Sequence, residues 1–173
     1  MDLRYPIGPF QPAPLTQAAR RNQLQQLAGG VTLLRQAVKG LTSAQLDTAY
    51  RPGGWTLRQV VHHLPDSHMN GYIRCRMALT EDAPTIKPYD EARWAELEDA
   101  RLGPLEASFK MLDALHLRWC SLFRSLTADD WKRAYRHPQN GRTTVEGALA
   151  QYSWHLRHHT AQITSMRERS GWE

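Results

Sequence analysis

The chain is organised around one stretch of its last helical run, Tyr152-Ser153-Trp154-His155-Leu156-Arg157-His158-His159. His155 and His159 are four residues apart, so on an α-helix they lie one turn apart on the same face. Two imidazoles in that arrangement can bind one metal ion, as in helix-borne zinc sites. The same spacing also arises when one histidine is partly buried and the other faces solvent. The pattern alone is therefore weak evidence for a metal site.

A second group of histidines lies far upstream, in the run His62-His63-Leu64-Pro65-Asp66-Ser67-His68, which also has a helical pattern. At 100° per residue, a polar stripe runs along this helix. Its members are Thr56, Gln59, His63, Asp66, Ser67, Asn70 and Arg74. A comparable stripe on the last helix consists of Gln151, His155, His159 and Gln162. Both stripes could face solvent, but helical bundles build metal sites from inward side chains on facing helices. We therefore predict a metal site formed by His63, His155 and His159.

Three neutral imidazoles would leave a divalent ion with its full charge and an open coordination position, as in catalytic sites. Such an ion lowers the pKa of bound water or holds a thiol as its thiolate. The glutamate of the H-E-x-x-H motif is absent, because Leu156 follows His155, so a zincin protease mechanism is not supported. Asp66 is a candidate general base or outer-shell acceptor, with a surface carboxylate as the alternative. Arg74 and Asn70 are candidates for substrate binding, Arg74 through a substrate carboxylate.

Composition favours a single globular domain over residues 1–173, in the cytoplasm. Hydrophobic residues make up 41% of the chain, and no window approaches the roughly 18 apolar residues of a membrane span. No secretory signal opens the sequence. Cys75 and Cys120 are interpreted as small buried hydrophobes rather than a disulfide framework. The net charge of +5 invites a nucleic-acid hypothesis, but basic and acidic residues are interleaved, so we expect neither nucleic-acid nor membrane partners.

Apolar residues recur at three- and four-residue steps in four long stretches. These stretches cover residues 16–40, 56–79, 104–126 and 143–170. No convincing alternating strand accompanies them, and Arg136–Gly141 is interpreted as a turn. The predicted fold is an all-α four-helix bundle.

Three further features complete the predicted architecture. Residues 1–15 carry four prolines and form an extended arm, which Tyr5, Ile7 and Phe10 would anchor to the bundle. Residues 81–99 form a long crossover between the second and third long helices, with one short helical piece at Asp90–Leu97. Pro65 should bend the second long helix, because its nitrogen cannot donate a hydrogen bond to the Val61 carbonyl.

Several runs of this sequence closely resemble the YfiT branch of the DinB-like superfamily. They are Tyr5–Gly8, Gln45–Thr48, Tyr50–Leu64, Asp66–Asn70, Pro88–Asp90, Trp94, and Trp154-His155 with His158-His159. The resemblance covers nearly the whole chain. It implies a four-helix bundle, a homodimer, and one zinc or nickel ion per subunit, held by one histidine of the second helix and two of the fourth. By matching motif those ligands are His63, His155 and His159. Pro65 departs from the pattern, since a small helix former such as alanine is expected there.

The resemblance also implies an activity. This family has been described as metal-dependent hydrolases, and its YfiT-like members are associated with thiol S-transfer, with bacillithiol as the thiol of this branch. The first expectation is therefore a transferase that joins a low-molecular-weight thiol to an electrophilic small molecule. The alternative is a hydrolase in which a metal-bound hydroxide attacks an amide or ester. A third interpretation is a helical binding module whose histidines are purely structural.

Overall fold

The computed structural model describes residues 2–172, which form a bundle dominated by four long helices. In chain order the elements are α1 (Gln17–Val38), α2 (Ser43–Leu46), α3 (Leu57–Thr80), α4 (Glu91–Ala95), α5 (Glu98–Leu102), α6 (Leu105–Arg124), a 3₁₀ turn (Asp130–Lys132), β1 (Ala134–His137), β2 (Gly141–Thr144) and α7 (Val145–Ser170). The long helices are α1, α3, α6 and α7, so the predicted four-helix bundle is confirmed.

Threonine side chains fix where three of the long helices begin. Thr16, Thr56 and Thr144 each accept a hydrogen bond from a backbone N–H in the first turn of α1, α3 and α7. Such caps satisfy N–H groups that have no partner within the helix. At Thr56 the cap is reciprocal, because the Gln59 side chain accepts from the Thr56 backbone N–H. These caps set the register of α3 and α7, the two helices that carry the histidines.

The apolar core lies between the four long helices. α1 packs mainly against α7, α3 packs mainly against α6, and α3 and α7 also contact each other directly. The largest fully buried side chains come from all four helices and include Leu27, Leu64, Trp119, Phe123, Leu149 and Leu156. Because α3 and α7 are neighbours, His63 on α3 faces His155 and His159 on α7 inside the bundle.

A small β-hairpin precedes α7, in a segment for which the sequence predicts a turn without strands. β1 and β2 are antiparallel, with His137 opposite Gly141. Each strand has only four residues, too few to show a clear alternation of apolar and polar positions. The hairpin is joined to the crossover, because the backbone of Arg136 exchanges hydrogen bonds with Pro84 and Ile86. The crossover itself contains two short helices, α4 and α5, where one was predicted.

α3 runs without interruption through Pro65, which is buried. A bend at this proline stays a prediction. Cys75 and Cys120 are free and buried as predicted, and burial raises the pKa of the Cys75 thiol to about 12. Within the part of the chain that the structure describes, no helix is long and apolar enough to cross a membrane.

Gly71 allows α3 and α7 to approach closely, which gives a first prediction. A Cβ at this position would overlap the Tyr152 ring on α7. We expect Gly71→Ala to lower the free energy of unfolding by about 1–3 kcal/mol, as is usual for overpacking a core. Gly29 on α1 is the matched control, since a Cβ added there would meet nothing within 4 Å. Gly29→Ala should raise the free energy of unfolding by about 0.5–1 kcal/mol. Urea unfolding of the two variants checks this, and equal effects would contradict the close approach.

Candidate metal centre

Three histidine side chains from two helices converge on one point inside the bundle. His63 on α3 and His155 and His159 on α7 each offer a ring nitrogen, and these nitrogens all lie within 4.8 Å of one another. The Nε2 atom of His155 is 3.3 Å from Nε2 of His63 and 3.1 Å from Nε2 of His159. The three residues selected from the sequence are thus brought together.

The spacing of these nitrogens fits a metal ion better than direct hydrogen bonds between them. Zinc binds imidazole nitrogen at about 2.0–2.1 Å in tetrahedral geometry, so two such nitrogens lie about 3.3 Å apart. The measured separations of 3.3 and 3.1 Å are close to that value. Three histidine nitrogens are also the protein donor set of one class of catalytic zinc sites, in which the fourth position is left to water or substrate. The donors and their spacing therefore fit a divalent ion.

Burial keeps the three imidazoles neutral, the form in which histidine binds metals. Loss of solvation lowers the pKa of His63 to about 4. It also lowers the pKa values of His155 and His159 well below the usual histidine range, and the neighbouring imidazoles add to this effect. No protonated form competes with a metal at neutral pH.

A chain of hydrogen bonds fixes the orientation of the His155 ring. Nδ1 of His116 lies 3.1 Å from the Leu27 carbonyl, which can only accept, so Nδ1 of His116 donates and its Nε2 is an acceptor. That Nε2 lies 2.9 Å from Nδ1 of His68, which must therefore donate. Nε2 of His68 is then free to accept from Nδ1 of His155, at 3.3 Å. The chain leaves the Nε2 lone pair of His155 directed at the convergence point.

The His159 ring is oriented by a glutamine side chain rather than by another histidine. Its Nδ1 lies 2.8 Å from Oε1 of Gln162, an acceptor, so Nδ1 donates and Nε2 is left with its lone pair. The amide nitrogen of Gln162 donates to the Arg4 carbonyl of the N-terminal arm. The arm thus holds the residue that orients His159. Such outer contacts normally set the tautomer and orientation of histidine ligands.

The described part of the N-terminal arm, from residue 2 onwards, contacts the bundle as predicted, and it does so on α7. Tyr5 packs against His158, with ring centroids 5.6 Å apart, and Phe10 packs against Trp154 at 5.7 Å. Tyr5 and Ile7 are 41% and 42% exposed, so the contact of the arm through Tyr5 is only partly buried.

A cavity of about 350 Å³ opens next to the three histidines. Its lining includes Trp55, Ser67, Arg74, Pro88, Tyr89, Glu91, His137, Gln139, Asn140, Gln151 and Tyr152 together with the three histidines. The Trp55 ring packs on His63, with centroids 4.7 Å apart. The size suits a small molecule and the lining is largely polar.

The other sequence-selected site residues occupy different positions. Arg74 lines the cavity. Asp66 and Asn70 are half-buried and do not line it, and the Asn70 amide donates to the Asp66 backbone carbonyl. Burial, with the charge of Asp99, raises the pKa of the Asp66 carboxyl to about 6. The charge of Asp66 in turn acts on the pKa of Tyr89, which lines the cavity, so the role of Asp66 as a base or outer-shell acceptor stays a prediction.

Asp66 gives a second prediction, on stability and its dependence on pH. The folded-state pKa of about 6 lies above the ordinary value of 3.8, so folding opposes ionisation. The loss of stability that comes from ionising the partly buried Asp66 carboxyl is absent at low pH. It appears as the pH rises above the ordinary pKa and is complete above pH 6. We expect Asp66→Asn to raise the free energy of unfolding by about 1 kcal/mol at pH 7.5, discounted for partial exposure, and by almost nothing near pH 4.

Urea unfolding of wild type and variant at the two pH values checks this expectation. A metal affinity that is unchanged by Asp66→Asn would agree with the placement of Asp66 away from the histidines. A fall in metal affinity would instead support the role of Asp66 as an outer-shell acceptor.

Two histidines of the site were not assigned a role from the sequence. His68 follows His63 by five residues, which places it away from the polar stripe, and His116 is a single histidine on the otherwise apolar face of α6. Both are buried, at 0% and 3% exposure. A buried imidazole in an apolar stripe needs a hydrogen-bond partner, but the partner is visible only once the helices are packed.

Comparison with known proteins agrees with this fold and site. A curated relative from Bacillus cereus (strain ZK / E33L) is 51% identical over 172 residues, covering 99% of each chain, and so is one from Bacillus thuringiensis subsp. konkukian (strain 97-27). Both carry the name "putative metal-dependent hydrolase".

Similar solved structures include YfiT and TT2238. YfiT from Bacillus subtilis, described as a probable metal-dependent hydrolase with an unusual four-helix bundle topology, has 46% sequence identity and a TM-score of 0.97, with all of both chains covered. The four-helix bundle protein TT2238 shares the fold at 17% identity and a TM-score of 0.60, over 84% of this chain and 98% of that one.

The model of the DinB superfamily matches residues 26–163, which include the three converging histidines and both histidines behind them. With this match, and with full-length relatives at about half identity, the chain belongs to the DinB superfamily.

Proposed function

We propose that this protein is a metal-dependent S-transferase that joins a low-molecular-weight thiol, of the bacillithiol type, to an electrophilic small molecule. One observation carries the proposal: three neutral, oriented imidazole nitrogens converge at the edge of a cavity large enough for a small molecule. His63, His155 and His159 would hold one zinc or nickel ion per subunit. A divalent ion bound there lowers the pKa of a coordinated thiol and so supplies a thiolate at neutral pH.

The overall reaction balances without an external oxidant or reductant. A thiol R–SH and an electrophile R′–X give the thioether R–S–R′, with the proton and X⁻ released. The C–S bond forms as the C–X bond breaks, and the sulfur supplies the bonding electron pair. A thiol has an ordinary pKa near 8.5, so only a modest further shift is needed to ionise it.

Residues of the cavity wall would bind and orient the reactants. Trp55 covers His63 and excludes water from that side. Burial raises the pKa of Tyr152 to about 12 and also raises the pKa of Tyr89 above the ordinary tyrosine value. Both hydroxyls therefore stay protonated at neutral pH. They can donate hydrogen bonds to a leaving group that develops negative charge.

A hydrolase acting on an amide or ester is the second candidate. The names of the relatives favour it, and Glu91 lines the cavity as a carboxylate that could accept a proton from water. Asp66 does not itself line the cavity, but its charge acts on the lining residue Tyr89, so its role as a general base stays a prediction. Water also needs a far larger pKa shift than a thiol does.

One assay separates the two candidates. Zinc-loaded and nickel-loaded protein are mixed with a thiol and monochlorobimane, and thiol consumption and fluorescent product are followed. A transferase consumes thiol in a one-to-one ratio with product, and His155→Ala should abolish the enzymatic rate. Ester or amide cleavage without thiol, with no rate above background in the bimane assay, would overturn the transferase and support the hydrolase. Homodimer formation and a cytoplasmic location, both expected from the sequence, stay predictions of this proposal.

A further inference from the structure

Arg74 is a buried cation that faces the cavity without an acidic partner. Its residue exposure is 9%, and it lines the cavity beside the three histidines. No ion pair within 4.0 Å joins it to a carboxylate of residues 2–172. The other strongly buried arginine of the described chain has an evident partner: Arg58, also 9% exposed, is paired with Asp47. A buried charge is costly unless it is paired.

The groups around Arg74 are neutral donors and acceptors rather than anions. Its charge acts on the pKa values of Tyr135, Tyr152 and His137, none of which carries a negative charge at neutral pH. Glu91 lines the same cavity but is not within ion-pair distance of Arg74. The cavity therefore presents a guanidinium whose strong preference for a carboxylate is unmet.

The helix places this cation on the same face as a predicted metal ligand. Arg74 follows His63 by eleven residues, which is three full turns plus about 20°, or about 16 Å along α3. Side chains of a helix point towards its N-terminus, so the Arg74 side chain extends back towards His63. Both ends of the cavity can thus contact one small molecule at the same time.

We infer that the cavity binds a small molecule that carries a carboxylate, with the Arg74 guanidinium as its recognition group and the reacting atom at the histidine end. This inference names the substrate class for the proposed site and rests on the proposed function for the identity of the reacting end. It adds a specificity that the histidine end alone does not supply, because a guanidinium matches a carboxylate with two parallel hydrogen bonds.

Binding is tested first, independently of any reaction. Titration calorimetry compares malonate, succinate and glutarate with their neutral diamides, on wild type, Arg74→Gln, Arg74→Lys and Arg76→Gln, with and without zinc. Arg76 is the matched control, because it is a neighbouring arginine of α3 that is exposed and bonded to Tyr72. We expect at least one diacid to bind wild type about tenfold or more tightly than Arg74→Gln, with Arg74→Lys intermediate, Arg76→Gln unchanged and the diamides indifferent to all variants.

Equal diacid binding by wild type and a folded Arg74→Gln, or no diacid binding by wild type, overturns the inference. If Arg74→Gln does not fold, the comparison rests on Arg74→Lys, whose compact ammonium cannot form the two parallel hydrogen bonds of a guanidinium. Unchanged diacid binding by Arg74→Lys then overturns the inference.

A second arm compares 3-mercaptopropionate with cysteamine in the bimane assay. Thiol transfer without any preference for the carboxylate thiol would support the proposed function and contradict the inference about Arg74. Arg74-dependent diacid binding without any thiol transfer would support the inference about Arg74 and contradict the proposed function.

Discussion

His63→Ala is expected to abolish tight zinc binding, while His62→Ala leaves it intact. His63 supplies one of three nitrogens that converge within 4.8 Å, and two imidazoles cannot hold the ion as three do. The loss should exceed the roughly 10–100-fold that outer-shell substitutions cause. His62 is adjacent and equally buried at 8% exposure, but its nitrogens contact Ser108 and the Gly103 carbonyl instead.

Chelator competition measures the zinc affinity of both variants, and thermal unfolding supplies a second readout. Zinc at 100 times its dissociation constant stabilises a folded protein by about 2.7 kcal/mol, so it should raise the melting temperature of wild type and His62→Ala but not of His63→Ala. Equal zinc affinity of the two variants would show that His63 is not a ligand, and a folded wild type without zinc binding would support the interpretation as a binding module.

The second large effect is expected at His68, which contacts neither the cavity nor the convergence point. His68→Leu removes the acceptor for Nδ1–H of His155 and leaves that buried donor unsatisfied, together with the His116 ring behind it. The His155 ring then has no fixed tautomer or orientation. We expect zinc affinity to fall by about 10–100-fold. His68→Gln offers an amide oxygen to the same donor and should recover part of the loss.

A general loss of stability would not lower zinc affinity in His68→Leu and partly restore it in His68→Gln. The Co²⁺-substituted protein gives a spectroscopic readout, since its visible absorption reports ligand number and geometry. We expect an altered spectrum for His68→Leu and one closer to wild type for His68→Gln. Wild-type zinc affinity in a folded His68→Leu would show that the hydrogen-bond chain does not position His155.

The sequence predicts the three converging histidines because their positions depend on local features, namely helix spacing and capping residues. His155 and His159 share a face by their four-residue spacing, and Thr56 and Thr144 mark where the two helices begin. With the caps known, the polar stripes of α3 and α7 follow from helix periodicity alone. The family resemblance gives the same three residues from a different source.

The rest of the site depends on packing between distant segments. The chain from His155 through His68 and His116 to the Leu27 carbonyl crosses all four long helices. No spacing rule within one helix can reveal it. The cavity wall likewise combines Trp55 before α3, Tyr89 of the crossover and His137 of a hairpin too short to detect.

Asp66 shows the limit of a stripe, because a residue on the polar face can approach more than one neighbour. It lies within the polar face of α3 by periodicity, and the structure brings it near both Asp99 of α5 and Tyr89 of the cavity wall without making it a lining residue, so its role stays a prediction. A polar stripe about 60° wide on each side is broad enough to include side chains that approach two different neighbours. The position of a residue on a helix therefore limits which residues can belong to the site, but packing decides which of them reach it.

The central claim is that three histidines form a metal centre, and the metal content of the protein tests it most directly. Elemental analysis is performed on tag-free wild type and on a His63→Ala/His159→Ala double variant, as isolated and after incubation with zinc and nickel followed by desalting. We predict about one divalent ion per chain in wild type and almost none in the double variant. A correctly folded wild type that stays metal-free after both incubations would contradict the claim.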